Sequence, residues 1–125
     1  MNKIAATLLA AAMAAASFPA AAHGEAQPMH GGIVQMAADL QFELVPQAGG
    51  AALYVVDHGK PADASKMSGK LTVLNGKDKS EADLKPAGAN KLEAANVKLG
   101  AGAKVVASVR GATPGKAVTV RFSVK

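Results

Sequence analysis

Short runs of alternating apolar and polar residues, which continue from residue 32 to the end of the chain, most constrain its fold. Such alternation places successive side chains on opposite faces of a β-strand. The runs recur roughly every 8 to 15 residues, with Gly, Pro, Asn or Asp between them. They are clearest at 104–110 and 117–125, where every second residue is Val, Ala or Phe. We therefore predict an all-β fold of about seven or eight short strands.

Turn residues divide these runs into hairpins, at Gly49-Gly50, Asn75-Gly76 and Thr113-Pro114-Gly115. Asn-Gly is the strongest of these signals, because both residues tolerate positive φ. Residues 52–56 are apolar on both faces and indicate a central strand, whereas 61–69 are small and polar and predict a loop. The pattern favours a single antiparallel β-sandwich over residues 33–125, immunoglobulin-like or cupredoxin-like, and it also suits a small barrel.

Residues 1–22 have the three parts of a cleavable secretory signal. Lys3 supplies the positive charge, and the apolar run 4–16 is about 13 residues long, shorter than the roughly 20 needed to span a bilayer. Ala20-Ala21-Ala22 fits a cleavage site, although cleavage after Ala26 is an alternative. We therefore expect a periplasmic protein that is not inserted in the membrane after cleavage, with residues 23–32 as a flexible leader.

Composition argues against several classes of function. The chain has 14 basic and 9 acidic residues, a net charge of +5, but its lysines are scattered, and its only aromatic residues after the signal are Phe42, Tyr54 and Phe122. A nucleic-acid partner would require clustered basic residues and stacking aromatics, so none is expected. The absence of cysteine excludes disulfides, cysteine nucleophiles and cysteine-based zinc sites.

Catalysis has little support. Ser65 or Ser68 could join His58 and Asp57 in a triad, but there is no G-x-S-x-G elbow and no parallel sheet to support one. We predict that the chain is not an enzyme.

The histidines lie outside the predicted strands, in the leader or in a turn, and methionines occur near them in the chain. Met29 and Met36 flank His30, and Met67 follows His58 in the predicted loop. Imidazole and thioether together suit copper, because Cu(I) is soft enough to bind sulfur and Cu(II) prefers nitrogen. These residues are the candidate metal ligands.

His23 and Asp57 are two further candidate ligands, and each would need other residues to complete a site. If cleavage follows Ala22, the free amine and ring of His23 could chelate Cu(II), with His30, or His58 and Asp57, completing the site. Non-metal interpretations stand beside this one: His and Met in a leader are often surface residues, Met36 could be core, and His58 could serve only in a turn.

The chain also resembles a group of small exported proteobacterial proteins that share an HGG start and a DHGKP turn. The resemblance covers roughly residues 28–125, and it rests on Met29-His30-Gly31-Gly32, Phe42-Glu43-Leu44-Val45, Leu53 to Pro61, Leu71-Thr72-Val73-Leu74 and Pro86-Ala87-Gly88. Such proteins tend to be encoded near heavy-metal and copper efflux systems. The resemblance therefore implies a periplasmic accessory role in heavy-metal resistance, and His30 and His58 are the histidines that match its motifs.

Two hypotheses follow from the sequence. The first is a periplasmic copper carrier or buffer, monomeric or weakly associating, that binds the metal through His30 and His58 with methionine help. The second is a non-metal β-sandwich module that docks on an envelope or efflux-system protein by an exposed strand edge.

Overall fold

The computed structural model describes residues 27–125, and all regular secondary structure in this part of the chain is β-strand. The predicted signal peptide, residues 1–22, and His23 lie outside it. None of residues 27–125 belongs to a helix long and apolar enough to cross a membrane. The all-β class predicted from the alternation is confirmed, with these nine strands: β1 (Ile33–Ala37), β2 (Leu40–Gln47), β3 (Gly50–Asp57), β4 (Lys60–Pro61), β5 (Ser68–Asn75), β6 (Asp78–Pro86), β7 (Lys91–Ala95), β8 (Lys104–Thr113) and β9 (Lys116–Ser123).

All strand pairs are antiparallel, in the order β1-β2-β3-β7-β6-β5-β8-β9, and β4 pairs with β3. Strand β6 joins the two layers, because Asp78–Leu84 pair with β5 whereas Lys85 and Pro86 pair with β7. Strand β1 lies beside β9 at the other end of the order. The predicted sandwich is therefore a continuous sheet, folded over one core and nearly closed into a barrel.

The core lies between the layers and follows the alternation of the sequence. Strand β3 is buried along most of its length, as expected for a central strand between β2 and β7. The fully buried large side chains come from both layers: Phe42, Leu44, Leu53, Val55, Leu71, Val73, Leu84, Leu92, Val105 and Val109. Alternate residues of β2 and β3 point away from this core, and these carry the candidate site.

The predicted hairpins are present, with small shifts of register. Asn75 pairs with Asp78, so the turn is Gly76-Lys77, with Gly76 at φ 62°. Asn75 is therefore the last residue of β5 and not a turn residue, and its side chain donates a hydrogen bond to the Lys98 carbonyl oxygen, at 3.0 Å. Similarly, Gly50 starts β3, and Ala48-Gly49 forms the turn. The predicted 61–69 loop is shorter at both ends, because Pro61 belongs to β4 and Ser68 starts β5.

Candidate functional site

A row of directly opposite residues crosses four strands on the outer face of the sheet. Val34 on β1 lies opposite Glu43 on β2, Glu43 opposite Tyr54 on β3, and Tyr54 opposite Lys91 on β7. Opposite residues have Cβ atoms about 4.5–5.5 Å apart and share a face. The carboxyl group of Glu43 and the phenol ring of Tyr54 are therefore neighbours on the outer surface.

Glu43 is nevertheless 2% exposed, the one charged residue buried within the described part of the chain. Residues 29–32 fold over it. Its Oε1 accepts hydrogen bonds from the Met29 amide (3.1 Å) and His30 Nδ1 (2.9 Å), and its Oε2 accepts from the His30 amide (2.8 Å) and the Gly32 amide (2.9 Å). The sequence predicted a flexible leader over 23–32, but residues 29–32 are tied to β2 by this carboxylate.

The two glycines after His30 allow this close approach. Gly31 has φ 72°, a left-handed conformation that residues with a side chain rarely adopt. At Gly32, a Cβ atom would overlap the Leu44 carbonyl oxygen and come within 2.8 Å of a Val45 methyl group. The His30-Gly31-Gly32 motif thus lets two of its backbone amides and one ring nitrogen reach one buried carboxylate.

His30 is held in one orientation by two contacts. Its imidazole stacks on the Tyr54 ring, with centroids 3.6 Å apart and an interplanar angle of 8°, and its Nδ1 contacts Glu43 Oε1. An ionised carboxylate only accepts hydrogen bonds, so Nδ1 donates in this contact, and in the matching neutral tautomer the lone pair lies on Nε2. The side chain is 40% exposed, and Nε2 has no hydrogen-bond partner among residues 27–125.

Burial alone would raise the pKa of Glu43 by disfavouring its charged form. The His30 ring and the amides of Gly32, His30 and Met29 oppose this effect, and together they hold the pKa below the ordinary value of 4.5. The carboxylate is therefore ionised at neutral pH, and its charge is compensated by donors of the 29–32 segment.

The methionines fall into two groups. Met29 is 74% exposed and Met36 57% exposed, so Met36 is not a core residue. Met36 lies opposite Gln41 and hence diagonal to Glu43 on the outer face, a residue separation of about 7–8 Å with the Cβ atoms somewhat closer. Met67, in contrast, is 5% exposed and packs in the core. Among the candidate ligands, Met67 therefore differs from Met29 and Met36 in offering little surface to a metal.

His58 lies at a different end of the sheet. His58 (φ 49°) and Gly59 (φ 81°) form the two-residue turn between Asp57 and Lys60. The His58 ring is 80% exposed and its Nδ1 bonds the neighbouring Asp57 carboxylate. Tyr54, under the His30 ring, is four residues earlier in β3, a separation of about 13 Å at 3.3 Å per residue. The structure does not bring His30 and His58 together.

No group of three His, Cys, Asp or Glu side chains in residues 27–125 is arranged to hold a metal ion. A site here would have to draw on methionine, and His23 lies outside the described residues. Sequence reasoning missed Glu43 and Tyr54 as site residues. Glu43 occupies a polar position in an alternating run and resembles ordinary surface, whereas Tyr54 lies in the apolar run 52–56 and resembles part of a central strand. No local sequence signal marks them, because the pairing of Glu43 with Tyr54 appears only in the strand register.

Comparison with known proteins adds no relative: no family model, curated protein or solved structure matches the chain.

Proposed function

We propose that this chain is an exported copper-binding accessory protein, a carrier or buffer in heavy-metal resistance, in which His30 is the anchoring ligand. The observation that carries the proposal is the fixed, half-exposed His30 ring, whose Nδ1 is bound to a buried carboxylate while Nε2 has no protein partner among the described residues. The signal-like residues 1–22 and the resemblance to HGG/DHGKP proteins support a periplasmic location.

The Glu43–His30 pair is the arrangement that orients histidine ligands in metal proteins. A carboxylate that accepts the N–H of one ring nitrogen fixes the tautomer and makes the other nitrogen a better donor. Tyr54 adds a flat support that limits rotation of the ring. Nε2 is consequently prepared for a metal before the metal arrives.

The exposed methionines supply the softer donors. Met29 is adjacent to His30 in the chain, and Met36 lies on the same outer face. A nitrogen–thioether set favours Cu(I), which accepts two or three ligands of this kind, over zinc, which is usually bound by cysteine, histidine and carboxylates. Such a site on an open surface releases its metal readily, as a carrier or buffer requires.

His58 and Asp57 are retained as a second, independent position for Cu(II). Their ring and carboxylate are both exposed, and they lie at a two-residue turn whose residues, His58 and Gly59, both have positive φ. Because they are remote from His30, we expect two sites of unequal affinity instead of the shared site that the sequence suggested.

Native mass spectrometry of the purified protein with one equivalent of Cu(I) tests the proposal, together with competition against a chromophoric Cu(I) chelator. We expect one bound copper in the wild type, its loss in His30→Ala, and its retention in His58→Ala. Met29→Leu combined with Met36→Leu should weaken binding, whereas Met67→Leu, a matched change in the core, should not.

Glu43→Gln provides a further arm, since loss of a carboxylate behind a histidine ligand typically lowers metal affinity about 10- to 100-fold. Copper uptake that is unchanged in His30→Ala, or absent from the wild type, would refute His30 as the anchor.

A further inference from the structure

Strand β6 has a free edge where the two layers separate. Its residues 78–84 pair with β5 on one side, and only Lys85 and Pro86 pair with β7 on the other. Beyond that point β6 and β7 diverge. Within residues 27–125, therefore, no strand completes the second side of β6 from Asp78 to Leu84.

The hairpin register shows which backbone groups face this free edge. Asn75 and Asp78 flank a two-residue turn and exchange hydrogen bonds, so every second residue from Asp78 onward points its N–H and C=O toward β5. The intervening residues Lys79, Glu81 and Asp83 point theirs away. Lys85, next in this series, is the residue that meets Glu93 of β7, which agrees with the assignment.

The diverging strands enclose an open cleft of about 520 Å³. Its apolar lining consists of small side chains, including Ala82 and Ala94, which leave room above the core. Its charged lining residues are three acids and one base, Glu81, Asp83, Glu93 and Lys85, although the chain as a whole carries +5. Lys70 and Lys79 lie near Glu81, and Lys91 Nζ lies 3.1 Å from Glu93 Oε1. Asp83 has no ion-pair partner within 4.0 Å among the described residues and is the carboxylate left for a basic ligand.

We propose that this cleft binds an extended segment of another protein, with alternating basic and apolar residues, as an added antiparallel strand on β6. Backbone pairing to Glu81 and Asp83 would supply the main-chain hydrogen bonds, as in other cases of strand addition. Basic side chains on the outer face would meet these two carboxylates. Apolar side chains on the inner face would fill the space over Ala82 and Ala94.

A second copy of this chain fits the cleft less well. In the antiparallel register that places Lys79 of each copy opposite Glu81 of the other, Asp78 of the second copy lies opposite Ala82. That register directs a carboxylate toward the apolar side of the cleft, where desolvation opposes it. The next register places Glu81 of one copy directly opposite Glu81 of the other, and like charges directly opposite repel.

The experiment uses the purified protein labelled with ¹⁵N and an octapeptide that alternates lysine with valine. We expect amide shifts confined to residues 79–85 and 93–96. The Glu81→Gln, Asp83→Asn double variant should bind roughly fivefold more weakly, as expected for the loss of two surface ion pairs. A peptide with the same sequence but N-methylated at alternate residues keeps the charge and removes backbone donors, so it should not bind.

The glutamate–valine peptide, which reverses the charge, should fail as well. Equal binding of the N-methylated peptide, shifts on another face, or self-association through β6 in place of peptide binding would each overturn the proposal. His30 takes no part in this cleft, so the outcome is independent of the copper measurements.

Discussion

The imidazole of His30 lies flat on the phenol ring of Tyr54, at a centroid separation of 3.6 Å. This contact joins a residue that precedes the first strand to the middle of a central one. Together with the hydrogen bond from Nδ1 to Glu43, it holds the glycine-rich segment 29–32 against the outer face of the sheet. The orientation of the His30 ring is therefore a property of the folded domain.

Removal of the Tyr54 ring should free the histidine. We expect Tyr54→Leu to lower the free energy of unfolding by about 0.5–1.5 kcal/mol from the lost stacking, besides any change in packing. Tyr54→Phe, which keeps the ring, is the matched control. In NMR spectra, the His30 ring protons should lose their ring-current shift in Tyr54→Leu and keep it in Tyr54→Phe; an unchanged shift in both variants would exclude the stack.

Glu43→Gln should release residues 29–32. A glutamine offers one carbonyl oxygen where the carboxylate accepts four hydrogen bonds, and its buried NH₂ group faces donors. We expect a loss of about 1–3 kcal/mol in urea unfolding and faster amide exchange at His30 and Gly32. Glu81→Gln makes the same change at an exposed site and should stay within about 0.5 kcal/mol of the wild type.

The free energy of unfolding should decrease as the solution is made more acidic, in a pH window set by Glu43. Its pKa in the folded protein lies below the ordinary value of 4.5, so the native state binds fewer protons than the unfolded chain, and stability rises with pH across the window. The contribution is complete above the unfolded pKa and is lost as pH falls through the folded pKa. The stability gap between the wild type and Glu43→Gln should be constant from pH 7 to about 5.5 and narrow below about 4.5. A gap independent of pH down to about 3 would show that the Glu43 charge is not involved.

The fold was largely predictable because its signals are local. Alternation identified the strands of the core, such as β8 and β9, and apolar residues on both faces identified β3 as central. The predicted turn at Asn75-Gly76 was displaced by one residue from the observed turn at Gly76-Lys77, because the sequence is compatible with either turn until the register of the strands is known. That register depends on core packing across the sheet, which no single segment contains.

The candidate site was predicted only in part, for a related reason. His30 and Met29 could be identified by residue type, but the partners of His30 are 13 and 24 residues further along the chain. Glu43 is buried by the leader and not by its own strand, so its alternating pattern predicted a surface residue. Met67 lies in a loop, as its polar surroundings predicted, but it is buried, and the closure of the core over this loop could not be predicted from the local sequence.

Gly32 provides the most direct test of the close approach between the leader and β2. Gly32→Ala places a Cβ atom against the Leu44 carbonyl oxygen and within 2.8 Å of a Val45 methyl group. The carbonyl oxygen belongs to the backbone of β2, which leaves little room to adjust. We expect the 29–32 segment to detach, with loss of protection at the His30 amide and a stability decrease of about 1–3 kcal/mol.

Gly31→Ala is the control, because its Cβ would meet nothing within 4 Å. It bears only the strain of a left-handed backbone, about 1 kcal/mol, and should leave the Glu43 hydrogen bonds in place. Equal loss of His30 protection in the two variants would mean that backbone conformation, and not contact with β2, fixes the segment. A selective loss in Gly32→Ala would instead establish that the leader is positioned by its fit against β2, which is the condition for a preoriented His30 ring.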